Sequence, residues 1–320
     1  MKKKTIVVIY YGDDWTNKIP LQKALPTKTS FEDWHERGLK SNCHLFRASI
    51  KWYDDKKNVF EKAWAYRNKK WIKVSGPIKP DMIFDKIAGK RNYELLDKKL
   101  KICEKIKVFN YPLFRTILDN KLSQYVFLQE FMPKSYLATN EKELKAVTAK
   151  ISTTKIVIKP LFGSGGFGII IDEKTKALRH KFQFPVLVQE FINSRRGIPG
   201  FSRQKELADL RMVYMNHKLI YALSRIAKEG SLFTNFHQGA TAILVPKKFI
   251  PRKAMKTASN IVKKLSVFPE ANYSLDFIFT EKEKPLLIEM NTTPGFDLLN
   301  IVGNEKIKER NFQELLDIIN

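Results

Sequence analysis

The chain has few cysteines and no long apolar run. Cys43 and Cys103 are its two cysteines, and they make no metal-ligand pattern. Since they can form at most one disulfide, a reduced cytoplasmic setting is the simpler interpretation. No stretch approaches the ~20 apolar residues that cross a bilayer, and the apolar run at 6–11 is too short for a signal peptide. We therefore expect a soluble protein with no membrane partner.

Acidic residues are scarce relative to basic ones. Asp and Glu number 33 against 58 Lys and Arg, which gives a formal net charge of +25. The positive electrostatic field of such a protein attracts nucleic acid, an acidic carrier protein or a polyanionic substrate. The lysines are spread along the whole chain, without an arginine-rich tail or an RNA-recognition motif. A lysine-rich solvated surface is thus the simpler interpretation, and no specific nucleic-acid partner is expected.

The first third of the chain mixes strand and helix patterns. The runs Ile6–Tyr10 and Met82–Phe84 are typical of buried strands. Ser30 predicts the capped start of a helix. Apolar residues between 95 and 106 recur near helical spacing and indicate an amphipathic helix. These patterns predict a small α/β domain over residues 1–115.

Two further segments are predicted, at 116–190 and 191–320. The strands expected in them are 135–137, 156–158, 169–171, 186–188, 210–214, 219–223, 240–245, 273–279 and 285–289. Helices are expected at 119–131, 141–150 and 253–265. The stretch Arg195–Gln204 has no periodicity, which predicts an insertion loop.

A glycine-rich loop lies between two of these strands. It contains Gly163, Ser164, Gly165 and Gly166. Glycine lets the main chain approach a phosphate and point its amides at it. Because a strand follows the loop and the order Gly-Lys-Ser/Thr is absent, neither a Walker A loop nor a dinucleotide-binding fingerprint is predicted. A hairpin tip that folds over phosphates and a plain flexible hairpin both stay open.

Lys159 immediately precedes this loop, at the end of a predicted buried strand. A buried lysine is costly unless an anion neutralises it, and a phosphate group would supply that anion. The alternative is a lysine at an exposed edge of the strand. The lysine and the loop together favour a phosphate site.

Three oxygen-bearing side chains interrupt the last two predicted strands. Asp276 lies in one strand, while Glu289 and Asn291 lie two residues apart in the next and so project from one face. If the strands are adjacent, the three side chains converge. Hard oxygen donors suit magnesium, and two ions sharing Glu289 are plausible. Buried acids paired with lysines are the alternative.

A fourth group surrounds Arg225. Its planar fork suits the charge that develops on an acyl phosphate, because it binds phosphoryl oxygens in pairs. Lys228 and Asn235 follow within ten residues and could complete the same cradle. His237 could act as a base, although a lone histidine is more often structural.

These motifs, in this order, resemble the ATP-grasp superfamily, and most of all its branch of ribosomal-protein glutamate ligases, amino-group-carrier glutamate ligases and glutathione synthetase. The resemblance covers roughly residues 119–296. It rests on Val157–Pro160 with the glycine loop, Val188–Ile192, Asp209–Arg211, Arg225–Gly239, and Asp276 with Glu289–Phe296. It implies an α/β (α+β) ATP-grasp fold, in which an N-terminal α/β pre-domain precedes two α+β subdomains that grip ATP.

The resemblance also implies a role for each motif. The residues implied at the nucleotide are Lys121, Lys159, the glycine loop, Glu190, Phe191, Asp209 and Asn235. Glu190 and Phe191 would read the adenine edge, and Asp209 would approach from the edge of the site. Asp276, Glu289 and Asn291 would hold Mg²⁺, with Mn²⁺ as a substitute. Arg225 and Lys228 would act on the acyl phosphate.

The implied activity is that of an ATP-dependent carboxylate–amine ligase, which forms an acyl phosphate and releases ADP and phosphate. Its substrates would be small-molecule or peptide carboxylates and amines, or an acidic carrier protein. Gln238 and Ala240 stand where this branch often has arginine and glycine, which leaves the carboxylate open. A small-molecule kinase on the same fold and a non-catalytic ATP-binding scaffold are the alternatives.

Overall fold

The computed structural model describes residues 3–194 and 197–319. These residues form three β-sheets with flanking helices. The sheets follow one another along the chain in the order of the three predicted segments. The mixed α/β class is therefore confirmed, while the boundaries at residues 115 and 190 stay a prediction.

The N-terminal sheet has the strand order β3-β4-β2-β1-β6-β7, and β5 pairs with β4. Its elements are β1 (Lys4–Tyr10), α1 (Leu25–Lys40), β2 (Cys43–Ser49), β3 (Tyr53–Asp54), β4 (Val59–Arg67), β5 (Lys70–Ile78), β6 (Met82–Asp85), α2 (Arg91–Glu94), α3 (Leu96–Cys103) and β7 (Lys107–Phe109). Strand β1 runs parallel to both β2 and β6. Its apolar run is continuous because both faces of a parallel sheet are covered.

Helix α1 begins five residues before the predicted capping position. Pro26 occupies its first turn, where the missing N–H of proline costs no hydrogen bond. The hydroxyl of Ser30 donates to the carbonyl of Pro26 from inside the helix, at 2.9 Å. The predicted cap at Ser30 is therefore wrong.

A four-stranded sheet follows, in the order β10-β9-β11-β8. It is reached through α4 (Pro112–Leu118) and α5 (Lys121–Leu128) and contains β8 (Ser135–Ala138), α6 (Glu141–Lys150), β9 (Lys155–Pro160), β10 (Ile170–Glu173), α7 (Lys174–Ala177) and β11 (Val186–Glu190). Helix α6 has the predicted bounds, because the side chain of Asn140 caps it by accepting from the main-chain N–H of Glu143 at 3.0 Å.

A five-stranded antiparallel sheet completes the fold, in the order β14-β13-β12-β15-β16. Its elements are β12 (Ala208–Met215), β13 (Lys218–Ile226), β14 (Thr241–Leu244), α8 (Arg252–Leu265), β15 (Asn272–Phe279), β16 (Pro285–Asn291), α9 (Asp297–Val302) and α10 (Glu305–Ile319). All nine strands predicted after residue 115 are present. The part of the predicted insertion that is described packs inward, since Ile198 is buried among core residues of this sheet.

The C-terminal helices join the first and third sheets through one apolar core. Val8 and Trp34 of the N-terminal unit lie in the same buried cluster as Leu223 of β13 and Phe312 of α10. The rings of Trp34 and Phe296 stack at 4.0 Å between centroids. This shared packing fixes the N-terminal unit against the end of β16, where the polar motifs lie.

Crossing a bilayer would need a longer and more apolar helix than any in the described ranges.

Gly38 lies where helix α1 packs closely against strand β2. A β-carbon there would lie 2.8 Å from the carbonyl oxygen of Cys43 and 2.4 Å from a methyl carbon of Leu45. Because a backbone oxygen cannot rotate away, overpacking outweighs the ~1 kcal/mol that alanine gains over glycine in a helix. We expect Gly38→Ala to lower the free energy of unfolding by about 1–2 kcal/mol in urea titrations. Gly12→Ala, with its nearest atoms at 3.9 Å, is the control, and equal stability of both variants would contradict this packing.

Candidate functional site

A cleft separates the four-stranded from the five-stranded sheet. Its first cavity, of about 730 Å³ including its open mouth, is lined on one side by Val157 and Ile169 and on the other by Ile278 and Ile288. These apolar side chains face each other because alternate residues of each strand project into the cleft. A slot with two apolar walls suits a flat aromatic ring such as a purine.

Glu190 and Phe191 lie at the edge of this cavity, where β11 ends. The main-chain N–H of Glu190 donates to the carbonyl of Lys134 at 2.9 Å, so the strand end is fixed to the segment before β8. The structure brings both residues to the position where a ring edge would meet the connection between the sheets. Their contact with adenine stays a prediction.

Lys159 reaches into the same cavity from the end of β9. Its ammonium donates to Oε1 of Gln189 at 2.7 Å and to the carbonyl of Ile288 at 3.0 Å. No carboxylate among the described residues lies within ion-pair distance of it. Burial lowers the pKa of Lys159 to about 8, which Glu289 opposes and Lys121 reinforces. A buried cation held only by neutral groups is ready for an anionic ligand.

Lys121 lies beside the start of the glycine loop. It occupies the first turn of α5, and its ammonium donates to the carbonyl of Gly163 at 2.6 Å. The same ammonium lies 3.4 Å from the Glu289 carboxylate. The two lysines therefore flank Glu289, and the loop is tied to one of them.

The glycine loop bends over this region. Gly163, Gly165, Gly166 and Gly168 all have positive φ angles, which other residues adopt only with strain. A β-carbon at Gly166 would lie 2.9 Å from Oδ1 of Asn235. The loop thus needs glycine both for its conformation and for its close approach to the segment after β13.

Behind the cleft lies a buried network of two arginines and two aspartates. Arg225 donates through Nε to Asp209 at 2.9 Å and through Nη2 to both Asp209 and, at 2.7 Å, Asp276. Arg211 binds Asp276 in a bidentate pair at 2.8 and 2.6 Å. Burial opposes ionisation of Asp276, but the two arginines outweigh it and hold the pKa of this carboxyl below its usual value. The four charges balance, which makes their burial tolerable.

The two arginines line a second cavity, of about 920 Å³ including its mouth. Neither guanidinium uses Nη1 in a hydrogen bond to the described residues. Asn235 and Arg225 line both the first and the second cavity, so the two compartments adjoin at these residues. A ligand spanning them would meet guanidinium groups at the junction.

A third cavity adjoins both and contains two of the predicted metal ligands. Glu289 and Asn291 line this cavity together with Lys121 and Ser164. Glu289 and Asp276 are paired neighbours on adjacent strands, as the prediction required. Two carboxylates and an amide oxygen fit a magnesium ion, which accepts few protein ligands. Asp276, however, is fully buried and uses both oxygens on arginines, so it would have to give up part of that pairing.

Other predicted site residues lie outside the three cavities. Asp209 is fully buried and accepts from Arg225 and from the hydroxyl of Thr234, at 2.6 Å, so it faces the network and not the cleft. Lys228 is exposed to solvent and is not among the lining residues of these cavities. The side chain of His237 lies outside the described part of the chain. The roles of Asp209 and Lys228 stay predictions.

Sequence reasoning missed several residues that organise the site. Gln189 holds Lys159, and Thr234 holds Asp209. The carboxylate of Asp119 accepts from the main-chain N–H of Gly89 and from the hydroxyl of Thr292. These positioning contacts join residues 25 to 173 positions apart, and no local pattern could have revealed them.

The lowered pKa of Lys159 predicts that the affinity for ATP depends on pH. Its free ammonium loses a proton near pH 8, whereas a bound triphosphate favours the charged form. Nucleotide binding should therefore take up a proton at higher pH, and affinity for ATP should fall by up to about tenfold per pH unit above that value. Isothermal titration calorimetry at several pH values and in two buffers measures both effects.

The control for this titration is Lys159→Met, which should bind ATP weakly at every pH and without proton uptake. A wild-type affinity that stays constant from about pH 7 to about pH 10 would mean that Lys159 does not bind the phosphates.

Comparison with known proteins agrees with this geometry. Residues 101–309 match the RimK-like ATP-grasp domain family. A probable alpha-L-glutamate ligase of Vibrio vulnificus is 27 % identical over 182 residues, and the match covers 55 % of each chain. This chain thus spans about half the length of the curated relatives that it matches.

Solved structures share the fold over the whole chain. D-alanyl-alanine synthetase A of Vibrio cholerae has a TM-score of 0.65 at 16 % identity and covers 100 % of both chains. The ATP-grasp ligase PsnB in complex with a precursor peptide and AMPPNP has a TM-score of 0.58 at 14 % identity, with 99 % and 98 % coverage. The predicted ATP-grasp fold is confirmed. Because the family match covers well over half of the sequence, this chain belongs to the RimK-like ATP-grasp family.

Proposed function

We propose that this protein is an ATP-dependent carboxylate–amine ligase that forms an acyl phosphate and releases ADP and phosphate. The observation that carries the proposal is the junction of the three cavities. This junction brings together two buried lysines, the glycine loop and Glu289. Arg225 also lies there, and it lines both the first and the second cavity. One compartment would hold the nucleotide and the other the acyl substrate.

The first step would transfer the γ-phosphoryl group. A carboxylate oxygen attacks the γ-phosphorus, the bond to the β-phosphate oxygen breaks, and ADP leaves. Lys121 and Lys159 would neutralise charge that otherwise repels the carboxylate. Main-chain amides of the glycine loop would cover the phosphates and exclude water from the product.

Magnesium bound by Glu289 and Asn291, with Asp276 as the third ligand, would supply further charge neutralisation at the triphosphate, and Mn²⁺ is expected to substitute. Two ions that share Glu289 are part of this proposal. If Asp276 bound a metal ion, Arg211 and Arg225 would lose hydrogen bonds to it. Their N–H groups would then be available to a substrate in the second cavity.

The second step would form the amide bond. A neutral amine attacks the acyl carbon, loses its proton, and inorganic phosphate leaves. Arg225 would bind the oxygens of the acyl phosphate and of the tetrahedral species through the unused edge of its guanidinium group. Asp209 would keep that group in place, since two of its hydrogen bonds go to this carboxylate.

The substrates are proposed only as classes, namely small-molecule or peptide carboxylates and amines. The neighbour PsnB was solved with a precursor peptide, so this fold accommodates peptide substrates in at least that protein. With a net charge of +25, an acidic carrier protein is a further candidate. Activity on such a partner should fall steeply with salt, whereas activity on a free amino acid should not.

A direct test combines the protein with ATP, Mg²⁺ and pools of amino acids and peptides. We expect release of ADP and phosphate that depends on the amine, and a product lighter by one water than its two parts, detected by mass spectrometry. Formation of AMP and pyrophosphate would refute the proposal. A stable phosphorylated product without an amine would favour a kinase, and ATP binding without turnover would favour a scaffold.

Arg225→Lys tests the proposed role of the guanidinium. Lysine keeps the charge but loses the planar fork that binds oxygens in pairs. We expect the rate of ADP release at saturating substrate to fall by about 100-fold, with the affinity for ATP little changed. Arg47→Lys is the matched control, because it alters an arginine–aspartate pair whose residues are not among those lining the three cavities. A wild-type rate in Arg225→Lys would remove Arg225 from the proposed chemistry.

A further inference from the structure

The second cavity contains a cation that neither the motifs nor the proposed chemistry explains. Lys86 follows β6 of the N-terminal unit and lines this cavity opposite the arginines. Its main-chain N–H donates to the carbonyl of Ile9 at 3.3 Å, which fixes its backbone to the neighbouring strand β1. The N-terminal unit thus supplies a charged side chain to the cavity, which Thr27, Ser30 and Phe31 of the same unit also line.

The position of the Lys86 ammonium is set by the loop after β16. It donates to the carbonyl of Pro294 at 3.3 Å and lies 4.2 Å from the centroid of the Phe296 ring. That loop begins immediately after Asn291, so Lys86 lies beside the proposed reaction centre. The aromatic ring holds the apolar stem and favours the charge without neutralising it.

No carboxylate of the described residues pairs with Lys86. The adjacent Asp85 is fully buried and is taken by Lys99 at 2.7 Å. Asp209 and Asp276 form ion pairs with the two arginines. Asp297 lines the same cavity and favours the charged form of Lys86, but no ion pair forms between them. Burial lowers the pKa of Lys86 to about 8, as expected for a cation without a bound partner.

We propose that Lys86 binds a carboxylate group of the substrate, distinct from the one that is phosphorylated, and thereby selects substrates that carry a second negative charge. This inference rests on the proposed function, because it assigns the second cavity to the acyl substrate. The reacting carboxylate would lie at Arg225, at the junction with the nucleotide cavity, and the second carboxylate would extend toward Lys86.

The charges of the cavity support this assignment. Among the described residues the arginines and their aspartates pair with each other, whereas Lys86 makes no ion pair and its ammonium stays available to a ligand. Asp297, which lines the same cavity, offsets part of this charge and so limits how many anionic groups can enter. A charge-assisted hydrogen bond in a partly dehydrated cavity is stronger than one in water, so an amide in place of the second carboxylate should bind at least about tenfold more weakly.

The test uses the full chain saturated with AMPPNP and Mg²⁺. Succinate, glutarate and acidic α-amino acids are titrated by calorimetry, each beside the analogue in which one carboxylate is an amide. We expect the wild-type protein to prefer the charged member of at least one pair by about tenfold or more. Lys86→Met should abolish that preference, whereas Lys86→Arg should retain most of it.

Lys98→Met is the matched control, because Lys98 is a partly buried lysine of the same unit that lies over the Tyr53 ring, away from the cavity. It should keep the wild-type preference. The inference is overturned if the wild-type protein distinguishes no pair, or if Lys86→Met keeps the preference. AMPPNP binding is measured separately in every variant, so its absence from the wild-type protein would reject the proposed function and not the role of Lys86 alone.

Discussion

Arg225 lies between two fully buried carboxylates, and the arrangement of the cleft depends on that contact. Asp209 comes from β12 and Asp276 from β15, so the guanidinium on β13 crosses β12 to link three strands of one sheet. Removing one partner of such a buried pair typically costs about 3–5 kcal/mol, because the remaining charge is left without compensation. The network is therefore both a structural link and the floor of the cleft.

The same constraint explains why the cleft has compartments. Arg225 and Arg211 are held by their aspartates along one edge, which leaves the other edge for the second cavity. On the nucleotide side, Lys159 is held by neutral groups and keeps an uncompensated charge. Charge is thus balanced where the protein must be stable and unbalanced where an anion is expected to bind.

Tertiary packing brings a third unit to this cleft. The core that contains Trp34 and Phe312 presses the N-terminal sheet against the loop after β16. Because Trp34 stacks on Phe296, the same ring that supports Lys86 also anchors α1. Interdomain packing and the shape of the second cavity therefore depend on shared residues.

Local patterns were informative where a single strand or loop carries the chemistry. The glycine loop, Lys159 and the pairing of Asp276 with Glu289 on adjacent strands all followed from residue type and period. Helix α1 was misjudged at its start because Pro26 fits the first turn as well as Ser30 fits a cap. The hairpin β4–β5 and the helices α9 and α10 were not predicted. The apolar residues of the two helices pack against both the N-terminal unit and the third sheet, so they follow no single amphipathic pattern.

The sequence by itself determined the fold class, the nine strands after residue 115 and the family, because alternating burial and glycine at positive φ leave a local record in residue type. Only the tertiary structure decided which charges neutralise each other. In the sequence Asp209 and Asp276 are both acids within apolar strands. Their partners are arginines of neighbouring strands, which only the pairing of the strands brings beside them. In the sequence Lys86 is one lysine among many. Its place in the second cavity, without an ion-pair partner among the described residues, arises from packing across the units.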